Sequence, residues 1–417
     1  MAGKRHRLVR TRKAAGFSQE RLAEVVGVER STVMRWERGE TCPQPWARPK
    51  LARALGISDQ SLSELLGESA EPESVASAPG PIAKEGASVH RRDFLKHSVV
   101  FPALGFDELR HLGAAFDDAR RYLDINVVGY FRQQLNNCAA NDGAHGPAQA
   151  LPRVLGIVAA IEIHAREVKA SVRRELLAVG AQAAEFVGWL YRDARQPRLS
   201  GHWRDRATEW AQEAGDWPMQ GYILLKKSQA AWDERDGLRM LTLAQAAHDG
   251  PWQLPPLVQA EVAQQEARGL AMTGESSPTV DAKLNEAWEV FTGAEATMSE
   301  LGPHYDRALL TMQTAICYCE AGRPGQAAQL YREHLDDEQI SHRDRGYFLS
   351  LMASALAYAA EPDNAASAGH EALTVAVDTH SLRTIHELKR VCALLEPWRS
   401  QPAVHELREA VLPLSGN

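Results

Sequence analysis

From Asp107 onward, apolar residues return at helical spacing and nothing alternates in the manner of a strand. Gly, Pro or Asp interrupts the pattern roughly every 12–20 residues, the ordinary length of a globular helix. This feature constrains the fold more than any other. Amphipathic helices in such number bury their apolar stripes only by packing on one another, so the expected fold class is all-α. At 417 residues, with 44% hydrophobic and 24% charged residues, the chain is long enough for two hydrophobic cores. No run reaches the roughly 18 consecutive apolar residues that a membrane span requires, and no membrane partner is expected. The cysteines, Cys42, Cys138, Cys317, Cys319 and Cys392, are sparse and lack framework spacing. Cys317 and Cys319 are two apart, on different faces of a helix, which argues against a metal clip and for reduced thiols.

Charge divides the chain unevenly. Residues 1–66 hold 13 Lys and Arg against 7 Asp and Glu, whereas the remainder holds 34 against 47. A basic head on an acidic body implies that the head meets a polyanion and the body does not. Within the head runs "GFSQERLAEVVGVERSTVMRWERGE". Ser18 is placed to cap a short helix over Gln19 to Val25, with Leu22, Ala23 and Val26 on one face. Gly27 permits the positive φ of a tight turn. Val28 plugs the core, and Glu29 to Arg38 form the next helix, with Val33 and Trp36 inward and Gly39 as its stop. "QPWARPKLARALGIS" and "DQSLSELLG" supply two further short helices.

Two short helices about a glycine turn form the helix-turn-helix pattern. From about Leu8 to Leu66 the chain resembles the XRE, or lambda-repressor-like, family. The motifs that carry the resemblance are Gly16-Phe17-Ser18-Gln19, Leu22-Ala23, Val26-Gly27-Val28, Ser31-Thr32-Val33 and Trp36-Glu37-Arg38-Gly39. The resemblance implies a five-helix DNA-binding domain over residues 1–66. It also implies that Gln19, beside Ser18, binds phosphate, and that Glu29, Arg30, Ser31 and Arg35, with Thr32 beside them, face base edges. Arg38 then lies near the DNA backbone. Chemistry agrees, because Arg is the commonest bidentate reader of guanine and hydroxyls serve both bases and phosphates. Glu29 could accept from cytosine, but it also favours a helix N-terminus, the structural role preferred here. Arg12 and Glu37 match a buried pair of the family, and Trp36 is read as core. Relatives dimerise to read half-sites about 34 Å apart on double-stranded DNA, so a homodimer is expected.

"GESAEPESVASAPGPIAKEGAS", residues 67–88, is rich in Ala, Ser, Pro, Gly and Glu without apolar periodicity and reads as a flexible linker. It leads into Arg91-Arg92-Asp93-Phe94-Leu95-Lys96, which resembles a twin-arginine export signal. The position far from the N-terminus argues against export. So does the short apolar stretch, broken by Pro102 and followed by Asp107 and Glu108. The preferred reading is an amphipathic hook carrying Val89, Phe94, Leu95 and Val99, which opens a section of effector-domain helices over residues 89–149.

Beyond residue 150 a two-helix unit recurs, as in "QGYILLKKSQAAWDERDGLRMLTLAQAAHDG" and "LTMQTAICYCEAGRPGQAAQLYREHL". The landmarks Trp189, Tyr222, Tyr318 and Tyr358 fall 33, 96 and 40 residues apart. With small residues where helices cross, residues 150–417 resemble a degenerate tetratricopeptide α-solenoid. Stacked units of that kind curve into a superhelix with a concave groove for peptides or partner proteins. Eight of the ten tryptophans lie in the body; most are read as packing, with one or two in the groove.

No phosphate-binding glycine loop, His-Glu-x-x-His or paired-cysteine site occurs. His164 has no second histidine a turn away, and His145, His202, His304 and His342 read as scattered in loops. Neither enzyme activity, metal nor cofactor is expected. The whole plan resembles actinobacterial transcriptional regulators and is similar in layout to peptide-responsive quorum-sensing regulators. The function this implies is a cytoplasmic, nucleoid-associated regulator, typically of development or secondary metabolism. Its repeat domain mediates dimerisation and senses a peptide, small molecule or partner protein through residues the sequence does not identify. The alternative is a scaffold that recruits partners to DNA.

Overall fold

A computed structural model of the chain describes residues 6–38, 41, 43, 47–57, 62, 65–66, 115, 118–294 and 301–415. The double-arginine segment, its hook, the linker, Gly39 and most of the fifth head helix lie outside the described residues. The chain divides into two compact units, residues 1–84 and 85–417. Every regular element among the described residues is helical, and none is long and apolar enough to cross a membrane.

The first unit contains α1 (His6–Ala14), α2 (Gln19–Val26), α3 (Arg30–Arg38) and α4 (Arg48–Leu55). Ser18 caps α2, its Oγ accepting from the Arg21 N–H at 3.0 Å. Gly27 ends α2 at φ 83°, where its own N–H and that of Val28 both reach the Ala23 carbonyl at 2.9 Å. A side chain at that φ would be strained, so the turn between the two helices depends on glycine. Leu8, Leu22, Val26, Val33, Trp36, Leu51, Leu55, Leu62 and Leu66 form one core. Trp36 is 3% exposed, as its place on the inner face of α3 requires.

The second unit is an α-solenoid. It begins with α5 (Ala119–Tyr122), α6 (Ile125–His145) and α7 (Pro147–His164). Helix pairs follow: α8 (Ala170–Asp193) with α9 (Pro197–Ala214), α10 (Trp217–Asp233) with α11 (Gly237–Asp249), and α12 (Pro256–Met272) with α13 (Ser277–Ala294). Then come α14 (Arg307–Glu320) with α15 (Pro324–His334), α16 (His342–Tyr358) with α17 (Pro362–Asp378), and α18 (Leu382–Leu394) with α19 (Pro402–Val411). Small residues permit the closest crossings. A Cβ on Gly269 of α12 would stand 2.8 Å from the Leu241 backbone of α11, inside any real contact distance.

The expected repeat interval is corrected by the turns. In five pairs the inter-helix turn holds one residue at positive φ: Arg195, Arg235, Gly274, Gly322 and Ala360. These lie 40, 39, 48 and 38 residues apart. Trp189 stands six residues before its turn residue and Tyr222 thirteen before its own, so the interval of 33 compares unlike positions. Aromatic side chains pack on both sides of these helices, and their spacing does not report the period.

The concave side is not an open groove. The superhelix turns until its first and last helices meet, α6 against α16 and α8 against α18. Asp142 of α6 accepts from Arg343 Nη1 of α16 at 2.6 Å and from Trp189 Nε1 of α8 at 3.0 Å. Ser381, the cap of α18, donates to Asp193 at the end of α8. These contacts draw the expected groove into a central cavity that is partly open to solvent, with Asn136, Ala139, Ala140 and Pro303 exposed on its wall.

Candidate functional site

The head offers a surface built on α3. Val33, Trp36 and Glu37 turn inward and are buried, so helical geometry sends Ser31, Arg35 and Arg38 to the opposite face, flanked by Arg30 and Thr32. Arg30, Arg35 and Arg38 are exposed, and Ser31 and Thr32 are half-buried. Glu29 precedes α3 and accepts from the Ser31 hydroxyl at 3.1 Å, which places its carboxylate at the positive helix end. Arg30 Nε lies 2.8 Å from a Glu20 carboxylate oxygen. A backbone N–H at the start of α2 holds the Glu20 carboxyl below its usual range, with Arg30 adding to the effect. That pair is exposed on both sides and readily exchanged for a phosphate or base.

Glu37 joins three elements. Its Oε1 accepts from Arg12 Nε of α1 at 2.7 Å and its Oε2 from Gln19 Nε2 of α2 at 2.6 Å. Arg12 also donates to the Phe17 carbonyl at 2.6 Å, tying down the loop between α1 and α2. Arg12 and Glu37 are each 6% exposed. The link from Gln19 to Glu37 is absent from the sequence reading, which assigns Gln19 to phosphate. In the free protein one amide N–H of Gln19 is already engaged, and Ser18 Oγ is the cap of α2.

The body contains a cavity of about 470 Å³ at the centre of the closed superhelix, a volume that suits a small molecule. Its walls come from the inner helices α6, α8, α10, α12, α14, α16 and α18 and from the segment 301–304. They combine apolar surface with buried ionic groups. Arg192 makes a two-pronged bond to Asp233, its Nη2 at 2.8 Å. The Asp233 carboxyl loses hydration by burial, yet the Arg192 guanidinium outweighs that and holds it below its ordinary range. Lys226 reaches both Glu261 oxygens at 3.0 and 3.2 Å, and Tyr222 lies under the ammonium at 4.6 Å. Glu185 lies 3.8 Å from Arg204, and burial raises its carboxyl while pushing Arg204 down to about 10.

His304, read from the sequence as one scattered histidine, lines this cavity with its Nε2 3.3 Å from Lys226 Nζ. It is exposed on the cavity wall. Desolvation and the adjoining ammonium push it down to about 4. Trp189 joins the cavity wall beneath the guanidinium groups of Arg192, Arg343 and Arg383. The sequence held one signal of this interior. On α12, Glu261, Gln264, Gln265, Glu266 and Arg268 are all buried, and polar residues on every side of an Ala-rich helix mark one whose polar groups have protein partners.

No curated protein and no solved structure matches the chain. Residues 5–65 match a family model described as a helix-turn-helix domain, which agrees with the α2–Gly27–α3 geometry and identifies the head as a DNA-binding domain of that type.

Proposed function

We propose that this chain is a dimeric, sequence-specific transcriptional regulator whose body senses a ligand. The observation that carries this reading is the outer face of α3, with Arg35 and Arg38 exposed and Ser31 half-buried beside them, held on a helix-turn-helix frame by the Arg12–Glu37–Gln19 network. In this reading Arg30, Arg35 and Ser31 meet base edges, with Thr32 beside them. Ser18, Gln19 and Arg38 hold phosphates, Gln19 through its remaining amide N–H. Glu29 chiefly orients Ser31 and the start of α3. The body is a set of lengthened tetratricopeptide-like pairs that joins two copies and couples cavity occupancy to the spacing of the heads by population shift. A cavity of about 470 Å³ supports a small ligand over an extended peptide or a partner protein. It also favours a regulator over a scaffold. Control of development or secondary metabolism in the cytoplasm is assigned by analogy alone.

The test is selection of genomic DNA fragments by the purified full-length protein, followed by titration at several salt concentrations. Selective, salt-sensitive binding is expected. Arg30→Ala and Arg35→Ala should each weaken it by about 1–3 kcal/mol. Binding indifferent to both substitutions would overturn the assignment of α3 as the reading helix.

A further inference from the structure

Most cations around the central cavity have a carboxylate of their own. Arg192 is bonded to Asp233, Lys226 to Glu261 and Arg343 to Asp142. Arg268 breaks this pattern, and Arg383 is shared between two carboxylates that it does not hydrogen-bond. Arg268 of α12 is 3% exposed and has no carboxylate within ion-pair distance among the described residues. Its polar partners are the Gln313 carbonyl oxygen at 3.0 Å and the Cys317 thiol, and its Nε has none. Arg383 of α18 is 5% exposed and lies 3.4 Å from Asp193 and 3.6 Å from Asp344 without a hydrogen bond to either. Its guanidinium sits instead over Tyr347 at 3.7 Å and Trp189 at 4.7 Å. Both residues line the cavity.

A buried guanidinium without a carboxylate is costly, and a fold that keeps Arg268 so at a cavity wall leaves it to a ligand that carries the missing charge. Across the same cavity Phe186, Trp189, Met219 and Phe348 present apolar surface.

We infer that the cavity binds a small amphipathic organic anion, its acidic head on Arg268 and its apolar part against apolar side chains of the cavity wall. This deepens the sensor reading and rests on it for its regulatory meaning; the binding site itself stands on the cavity's own geometry. A cavity of about 470 Å³ matches a small molecule rather than an extended peptide.

The probe is anilinonaphthalene sulfonate, an aromatic anion that fluoresces in apolar surroundings, added to the full-length protein. Its control is N-phenylnaphthylamine, the same skeleton without the charge. The sulfonate should bind one site per chain at least about tenfold more tightly than the neutral amine, the factor one charge-assisted hydrogen bond contributes. Arg268→Gln should lose about that factor, and Arg268→Lys should recover part of it. Ala139→Trp, at an exposed position of the cavity wall, fills the space without removing a core contact and should abolish binding. It serves equally if Arg268→Gln does not fold. Displacement by indoleacetate identifies a carboxylate as the preferred head, and displacement by phenyl phosphate a phosphate ester. Equal binding of the neutral skeleton overturns the proposal. So does indifference to either Arg268→Gln or Ala139→Trp, and so does displacement by neither anion. Selective DNA binding is measured separately. If the probe binds as stated and DNA binding never responds to it, the anion site stands and the coupling to the heads falls.

Discussion

The two units place their charges in opposite ways. In the head, the buried Arg12–Glu37 pair braces a largely apolar core, and arginines of α3 project outward. In the body, arginines, a lysine and carboxylates turn inward around a cavity. The head's outward charge is thus a property of one short helix, whereas the body's inward charge belongs to a space that many helices share. Charge on the outer face of a helix costs little and can meet a polyanion directly. Charge inside needs partners, and those partners come from distant parts of the chain.

Asp142 is the most exposed point of this contrast to test. Asp142→Asn leaves Arg343 buried without its carboxylate at the place where the superhelix closes. The body should lose about 3–5 kcal/mol in denaturant unfolding. Since the head has its own core, its binding to DNA in isolation should not depend on this residue; an equal loss in an Asp142→Asn variant that remains folded would break the separation of roles drawn here. Next in size, Glu37→Gln removes the charge that holds Arg12 and loosens Gln19, with an expected cost of about 2–3 kcal/mol to the head's unfolding. A body transition unchanged in the same experiment sharpens the comparison.

Arg35→Ala acts on the outer face and should leave both unfolding transitions within about 0.5 kcal/mol, as exposed substitutions do. Its effect belongs to DNA affinity, about 1–3 kcal/mol. A comparable loss of stability would show that Arg35 is structural.

The smallest effect is one of pH. His304 takes a proton near 6.5 when unfolded but only at about 4 in the folded cavity. Between those values the unfolded chain binds more protons, so this residue makes stability rise with pH through that window and adds no slope above it. His304→Gln should flatten that part of the stability profile relative to the parent, measured by urea unfolding across the window. An unchanged slope would mean that the ring titrates as it does in water.

Much of the head was legible because its determinants are local. Ser18 before a helix, Gly27 after it, and Leu22, Val26, Val33 and Trp36 at helical spacing each act through neighbours a few residues away. The inward turn of Gln19 to Glu37 was not legible, since no propensity says which of two polar partners, phosphate or carboxylate, an amide meets. In the body the helices could be read from their breakers, but their period could not. Arg195, Arg235 and Ala360 hold the left-handed turns that Gly274 and Gly322 hold elsewhere. A residue other than glycine at positive φ leaves no mark in the sequence, so aromatic landmarks stood in for the turns and misled.

By itself, the sequence determined an all-α chain with a basic helix-turn-helix head and a long acidic array of paired helices. Periodicity, caps and charge balance are sums over neighbouring residues, and a linear reading recovers them. Only the tertiary structure decided that the array closes on itself. It brought Asp142 to Arg343 and Asp193 to Arg383, and it left Arg268 buried without a carboxylate. Those outcomes depend on small rotations accumulated from one helix pair to the next, and the direction of that accumulation is set by packing, which no single stretch of sequence contains.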